Sequence, residues 1–110
     1  MRPASVAVKY DGITRAGLDA LEERWEIYWR DFGRCQHCGE SVTFETAQIA
    51  HRIANTKANR HRWGSDVIDS MENKALTCSL YCNSRMNIGG NPIACREIAE
   101  KAKEADHADA

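Results

Sequence analysis

The sequence predicts a small α+β domain of 110 residues that is built around one metal site and has a helix at each end. This prediction depends on three observations: two cysteine pairs have the spacing of metal ligands, short alternating apolar runs lie between them, and helical periodicity is present outside them. A chain of this length buries only part of its surface, so a metal staple helps it to fold. We therefore expect a single domain over residues 1–110, with an N-terminal helix at about 14–32, a metal-bound core at about 33–90 and a C-terminal helix at about 91–106.

The N-terminal helix is predicted from apolar residues that recur at spacings of three and four. They form one stripe that consists of Leu18, Leu21, Trp25, Tyr28, Trp29 and Phe32. Gly33 follows at the usual place for a helix end. We expect the stripe to pack on the rest of the domain, and a homodimer formed through the aromatic residues of this helix is the alternative.

Three short strands are predicted in the central region. Their residues alternate with period two and are rich in β-branched types, and they span Ser41–Phe44, Ala47–Ile53 and Lys74–Thr77. Period two places Ile49, His51 and Ile53 on one face. Residues 54–72 are polar and lack a strong period, apart from one or two possible helical turns at 65–71.

Two further helices follow the last strand. A short one is predicted from Tyr81 to about Ile88, where Gly89 and Gly90 end it. Asn91 and Pro92 then provide a cap and a first-turn proline for the C-terminal helix. Cys95 lies beside alanines on the apolar side of that helix, which favours a role as a small buried hydrophobe.

The four other cysteines are predicted to bind one structural Zn²⁺ ion: Cys35, Cys38, Cys78 and Cys82. Each pair is separated by two or three residues, which lets both sulfurs reach a single ion. Four thiolates fill a tetrahedral shell and leave no position for substrate. The disulfide alternative needs an oxidising compartment, whereas the first ten residues contain no secretory signal and no apolar run is long enough for a membrane span. We therefore expect a reducing, cytoplasmic setting.

Charge is distributed unevenly along the chain. The formal net charge is −1, with 15 Lys and Arg against 16 Asp and Glu, which argues against a general polycation. Between Thr46 and Ser65, however, there is no acidic residue, and the basic residues there include Arg52, Lys57, Arg60 and Arg62. This stretch predicts a local contact with an anion, and an ordinary solvated loop is the alternative.

The segment between the cysteine pairs is longer than in a plain zinc ribbon, which has about 15–20 residues there. It also carries residues in a recognisable order: Cys35-x-x-Cys38-Gly39, Ala50-His51-Arg52-Ile53, Glu72-Asn73, Cys78 and Cys82-Asn83. In this order the chain resembles the His-Asn-His (HNH) endonucleases, the zinc-ribbon branch of the ββα-metal (His-Me finger) nucleases. The resemblance covers about half of the chain, from Cys35 to about Asn87.

The resemblance implies a metal-dependent DNA endonuclease of weak or nicking activity. His51 would be the general base that activates water, and it is expected to face Asn83 or Asn87 across a cleft. Asn73 would orient the base strand through hydrogen bonds to the backbone. Asn83 would bind the catalytic divalent metal, Mg²⁺ or Mn²⁺. The basic stretch with Arg52, Lys57, Arg60 and Arg62 would be a loop that contacts DNA phosphates.

Two positions depart from the family pattern. Ala50 stands where relatives often have a metal ligand, and the second cysteine pair has three spacer residues where the family usually has two. The candidates for replacement ligands are Asp66, Asp69, Glu72 and Asn87. These departures keep two alternatives open, a non-catalytic zinc-ribbon module that binds nucleic acid or a protein, and a structural dimerisation domain.

Overall fold

The computed structural model describes residues 14–109, with side chains described for 14–105, and it shows the predicted α+β composition. A two-stranded antiparallel sheet is surrounded by helices. In chain order the elements are α1 (Arg15–Arg30), β1 (Gln48–His51), α2 (Lys57–Trp63), α3 (Ser65–Ile68), a 3₁₀ turn (Met71–Asn73), β2 (Lys74–Thr77), α4 (Leu80–Arg85) and α5 (Pro92–Asp109).

The sheet places its residues in a defined register. His51 lies opposite Lys74 and Ile49 opposite Leu76, so these four side chains share one face. Ala50 lies opposite Ala75 on the other face. The prediction of β2 is confirmed, and β1 is shorter than predicted. The predicted strand at 41–44 is wrong, because its pairing is limited to one isolated bridge between Arg34 and Ser41.

Helix α1 is attached to the sheet by a row of residues spaced four apart. Ile27 is fully buried at the centre of this row. Glu23, one turn earlier, pairs with Lys74 Nζ. Asp31, one turn later, accepts a hydrogen bond from the Leu76 amide through Oδ2 at 2.9 Å. The helix therefore meets β2 through one apolar and two charged contacts on a single face.

The aromatic stripe of α1 packs only in part. Trp25 stacks on Phe44 with ring centroids 4.1 Å apart, and the Tyr28 hydroxyl donates to the Val42 carbonyl at 2.6 Å. Trp29 and Phe32 are instead 65% and 84% exposed, contrary to the prediction for them. Phe32 adopts a left-handed φ of 58° in the turn that ends the helix, and none of the described residues after it covers this side.

The buried residues form two apolar clusters. The metal-proximal cluster joins α1, β2 and the cysteine-bearing segments through Ile27, Cys35, Val42, Ala47, Leu76 and Cys82. The C-terminal cluster joins α3 and α5 through Ile53, Val67, Ile68, Cys95, Ile98, Ala99 and Ala102. Cys95 is thus a small buried hydrophobe, as predicted. Helix α5 begins at the predicted cap, where Asn91 Oδ1 accepts from the amides of Ile93 and Ala94 at 3.0 and 3.2 Å.

Helix α2 was not expected from the sequence, where this segment was predicted to be an irregular loop. The Thr56 hydroxyl caps it by accepting from the Asn59 amide at 3.1 Å, and no residue of α2 is buried. Within residues 14–109, no helix combines the length and apolar character needed to cross a bilayer.

Candidate functional site

The first cysteine pair lies in a tight turn that follows α1. The Cys35 amide donates to the Glu40 carbonyl at 2.8 Å, and the Gly39 amide donates to the Cys35 carbonyl at the same distance. Gly39 has a φ of 82°, a conformation that suits glycine. The Gln36 amide donates to the Leu76 carbonyl at 2.8 Å, which fixes this turn beside the end of β2.

The second pair connects β2 to α4. Cys78 follows the strand directly, and Cys82 lies in the first turn of the helix. The Ser79 hydroxyl caps that helix by accepting from the Cys82 amide at 3.2 Å. The extra spacer residue of this pair is thus accommodated by a capped helical turn.

The four sulfur atoms converge on one point and lie within 4.8 Å of one another. Cys78 Sγ is 3.6 Å from the sulfurs of both Cys38 and Cys82. A tetrahedral zinc site with Zn–S bonds of about 2.3 Å has sulfur–sulfur edges of about 3.8 Å, whereas a disulfide requires about 2.05 Å. The four cysteines are therefore positioned to bind a metal ion, and the donor set fits structural zinc.

The surroundings of the sulfurs differ in their effect on the thiols. Burial alone would raise the pKa of Cys35, but the backbone amides of Cys38, His37 and Cys78 stabilise its thiolate and lower the pKa to about 6. Burial raises the pKa of the Cys82 thiol to about 12. Because ligands must be deprotonated, metal binding at this site is expected to release protons from the thiols.

His51 lies at the end of β1, on the face that α1 covers. It is half-buried and lines a cavity of about 310 Å³ together with Glu23, Ile49 and Lys74, as well as other residues of α1. Burial lowers the pKa of His51, and the positive charge of Lys74 lowers it further. The imidazole is therefore neutral at physiological pH, the form that can accept a proton.

Asn73 is fully buried and ties the two ends of the β1–β2 connection together. Its Oδ1 accepts from the Ile53 amide at 2.7 Å. Its Nδ2 donates to the carbonyls of Ile53 and Ile68 at 3.1 and 3.0 Å. The Arg52 amide donates to the Asn73 carbonyl at 2.8 Å. These are the backbone hydrogen bonds expected of this residue, and they hold the segment directly after His51.

Asn83 and Asn87 do not share the cavity of His51. Asn83 is half-buried on α4, and its Nδ2 lies 3.5 Å from the Ile49 carbonyl. Asn87 is exposed and accepts from the Gly89 amide at 2.7 Å in a local turn. The expectation that His51 faces either asparagine across a cleft is wrong, because the alternation of β1 turns His51 toward α1.

Three acidic residues considered as replacement ligands line a separate cavity of about 610 Å³ beside α5. These are Asp66, Asp69 and Glu72. Arg60 donates to both carboxylate oxygens of Asp69 at 3.2 and 2.6 Å. This hydrogen bonding lowers the pKa of Asp69. The cavity does not include His51, although the charge of Asp69 acts on His51 and opposes the lowering of its pKa.

The basic residues do not form the predicted loop. Lys57, Arg60 and Arg62 lie on α2, whereas Arg52 lies apart, half-buried next to β1. Arg60 is held by Asp69, and its Nε donates to Asn55 at 2.7 Å. Arg62 lies over the Trp63 ring at 5.1 Å and is exposed, as is Lys57. Lys57 and Arg62 are therefore the members of this group that remain available on the surface of α2.

Sequence reasoning missed the two charged residues that surround His51, Glu23 and Lys74. The spacing of Glu23, Ile27 and Asp31 places them on one face of α1, which could have indicated that this face packs on the sheet. Two of the three residues are charged, however, and charged residues on a helix normally indicate a face exposed to solvent. No family model matches this chain, and no curated protein or solved structure matches it either.

Proposed function

We propose that this protein is a metal-dependent endonuclease that hydrolyses phosphodiester bonds of DNA, with His51 as general base and a ββα-metal core held by structural zinc. The observation that carries the proposal is the position of His51, a half-buried imidazole at the end of β1 that lines a cavity, where burial lowers its pKa. The next strand leads through Cys78 into α4, which completes the β–β–α order.

The proposed role of His51 is to accept a proton from the attacking water. A neutral imidazole beside a cavity that admits water meets the first requirement for a general base. Asn73 supports this role indirectly, because it fixes the backbone that follows His51. Burial, together with the positive charge of Lys74, lowers the pKa of His51 and so favours the unprotonated base.

The resemblance implies Asn83 as the protein ligand for the divalent metal, Mg²⁺ or Mn²⁺, and among the described residues nothing donates to its Oδ1. Because Asn83 does not line the cavity of His51, the proposal assigns no protein ligand of the metal beside the base. Such a metal, when bound, would neutralise charge on the scissile phosphate. Ala50 is fully buried and offers no donor atom. With so few protein ligands, we expect weak metal binding and weak or nicking activity.

DNA contacts are proposed for the exposed cations of α2, Lys57 and Arg62. They would bind backbone phosphates and position the duplex without reading its sequence.

The absence of a ligand at Ala50 specifically favours a second candidate, a non-catalytic zinc module that binds nucleic acid. The two candidates predict the same zinc content and the same DNA binding through α2. They differ in whether the protein cuts DNA.

The test is nicking of supercoiled plasmid by the zinc-loaded protein with Mn²⁺. We expect His51→Ala to abolish nicking while zinc content and DNA affinity stay unchanged. His37→Ala is the matched control, because the His37 side chain is exposed and only its backbone amide serves the metal site. Wild-type protein that binds DNA without nicking it would establish the second candidate, and full nicking by His51→Ala would exclude His51 as the base.

A further inference from the structure

A second cavity near β2, of about 320 Å³, is lined by an arginine whose guanidinium has no partner among the described residues. The cavity lies between the end of α1, β2 and the residues after α4, and its charged lining consists of Arg30, Asp31, Arg52, Glu72 and Lys74. Three cations and two carboxylates line it, and Glu23, which lies outside the lining, pairs with Lys74. Which of these groups is free to bind a ligand depends on the contacts that each already makes.

Two of the cations are occupied by contacts within the protein. Arg30 donates to both carboxylate oxygens of Asp31 at 2.9 and 3.0 Å. It also donates to the carbonyls of Met71 and Lys74, the former at 2.7 Å. Lys74 Nζ pairs with Glu23. These groups shape and rigidify the wall of the cavity, but their charges are already matched.

Arg52 differs from them. Its Nε is buried, and it has no hydrogen-bond partner. No other described residue accepts a hydrogen bond or forms an ion pair with its guanidinium. A buried donor left unpaired costs free energy, and native proteins almost always supply a partner. The guanidinium presents up to five donors in a planar fork that matches the oxygens of a phosphate.

The backbone of Arg52 is held in place while its side chain is free. Its amide donates to the Asn73 carbonyl at 2.8 Å, and its carbonyl accepts from the Ile88 amide at 2.9 Å. The backbone that carries the guanidinium is thus fixed beside the cavity. Glu72 is the remaining unmatched carboxylate of the lining and opposes an anion there. Because Glu72 is only half-buried, its side chain has access to solvent.

We propose that this cavity binds a phosphate-sized oxyanion through Arg52, and that the natural ligand is a phosphodiester of a nucleic-acid backbone. His51, the preceding residue, lines a different cavity, and Lys74 is the residue that borders both. The site would therefore hold a phosphate other than the one that His51 faces, and so position the strand. The inference rests on the contacts of Arg52 and holds whether or not the protein cleaves DNA.

The test follows the Nε–Hε resonance of Arg52 by ¹H–¹⁵N NMR in the zinc-loaded full chain. Inorganic phosphate is the first probe, and a dinucleoside monophosphate and its uncharged methylphosphonate analogue are the second and third. We expect saturable shifts with the two charged probes and none with the analogue. A shift with inorganic phosphate alone would overturn the nucleic-acid assignment, and no saturable shift with either charged probe would overturn the site.

Variants read out by backbone amide shifts make the test independent of the arginine signal. Arg52→Gln should weaken phosphate binding roughly tenfold or more, since it removes charged hydrogen bonds. Arg52→Lys should weaken it less, and Glu72→Gln should strengthen it. Arg96→Gln, an exposed site on α5 with the same charge change, is the control. Equal phosphate affinity in Arg52→Gln and Arg96→Gln would refute the proposal. Plasmid nicking is measured separately, so that a failure of this site is distinguished from a failure of the proposed nuclease activity.

Discussion

Replacement of Asn73 by alanine removes three buried side-chain hydrogen bonds at once. Two of them join Asn73 to the amide and carbonyl of Ile53, and the third joins it to the Ile68 carbonyl. Both isoleucines are fully buried, so water cannot replace the missing partner without entering the C-terminal cluster. The variant therefore tests whether this single side chain holds the chain after His51.

The expected loss can be worked from these contacts. Three net hydrogen bonds at about 1 kcal/mol each amount to about 3 kcal/mol. The substitution also leaves the Ile53 amide as a buried unpaired donor. The expected loss in free energy of unfolding is therefore larger, roughly 4 kcal/mol. A domain of this size has a total stability of about 5–15 kcal/mol, so the variant should remain folded but be much less stable.

Urea unfolding with saturating zinc measures this difference. Asn87→Ala is the matched control, because Asn87 is exposed and makes one local bond to the Gly89 amide. We expect the control to lose less than about 1 kcal/mol. If Asn73→Ala lost no more than the control, the network would not stabilise this connection, and the structural role assigned to Asn73 would be wrong.

Three further predictions concern the metal, the base and the DNA contact. Metal analysis should find one zinc per chain, and Cys35→Ala should lower both zinc content and melting temperature, since metal binding supplies folding energy; an unchanged melting temperature would contradict a structural metal. The pKa of His51, measured by NMR titration, should lie below its ordinary value near 6.5 and should rise in Lys74→Met, because the substitution removes a nearby positive charge. Since the unfolded chain protonates His51 more readily than the folded protein does, the contribution of His51 to stability should be lost as pH falls below about 6.5. A raised His51 pKa in the wild type would refute this account. Lys57→Ala combined with Arg62→Ala should lower the salt-dependence slope of DNA binding by about two, whereas Arg60→Ala should change it less because Asp69 already binds Arg60; an equally large effect of Arg60→Ala would contradict this ranking.

The metal site, β2 and the two terminal helices were predictable because their signals are local. Cysteine spacing, strand alternation and the Asn91 cap each depend on a few neighbouring residues. Helix α2 was missed since it buries none of its residues and therefore has no apolar stripe. Its helical state depends on the Thr56 cap and on the ion pair between Arg60 and Asp69.

The position of His51 was harder to predict. The period-two alternation of β1 correctly placed His51 on the same face as Ile49. It did not show which element covers that face. This depends on how α1 docks, and α1 docks through Glu23, Ile27 and Asp31, two of which are charged. Hydrophobic periodicity pointed instead to Trp29 and Phe32, which remain exposed.

The division of the interior into two apolar clusters has a consequence for how the protein loses its structure. Only the metal-proximal cluster contains zinc ligands, Cys35 and Cys82, whereas the C-terminal cluster is built from α3, α5 and Ile53. Chelation removes the cross-link from one cluster and leaves the packing of the other in place. Amide protons of α1 and β2 should then exchange with solvent well before those of the first three turns of α5, so that the chain behaves as two cooperative units of unequal dependence on metal.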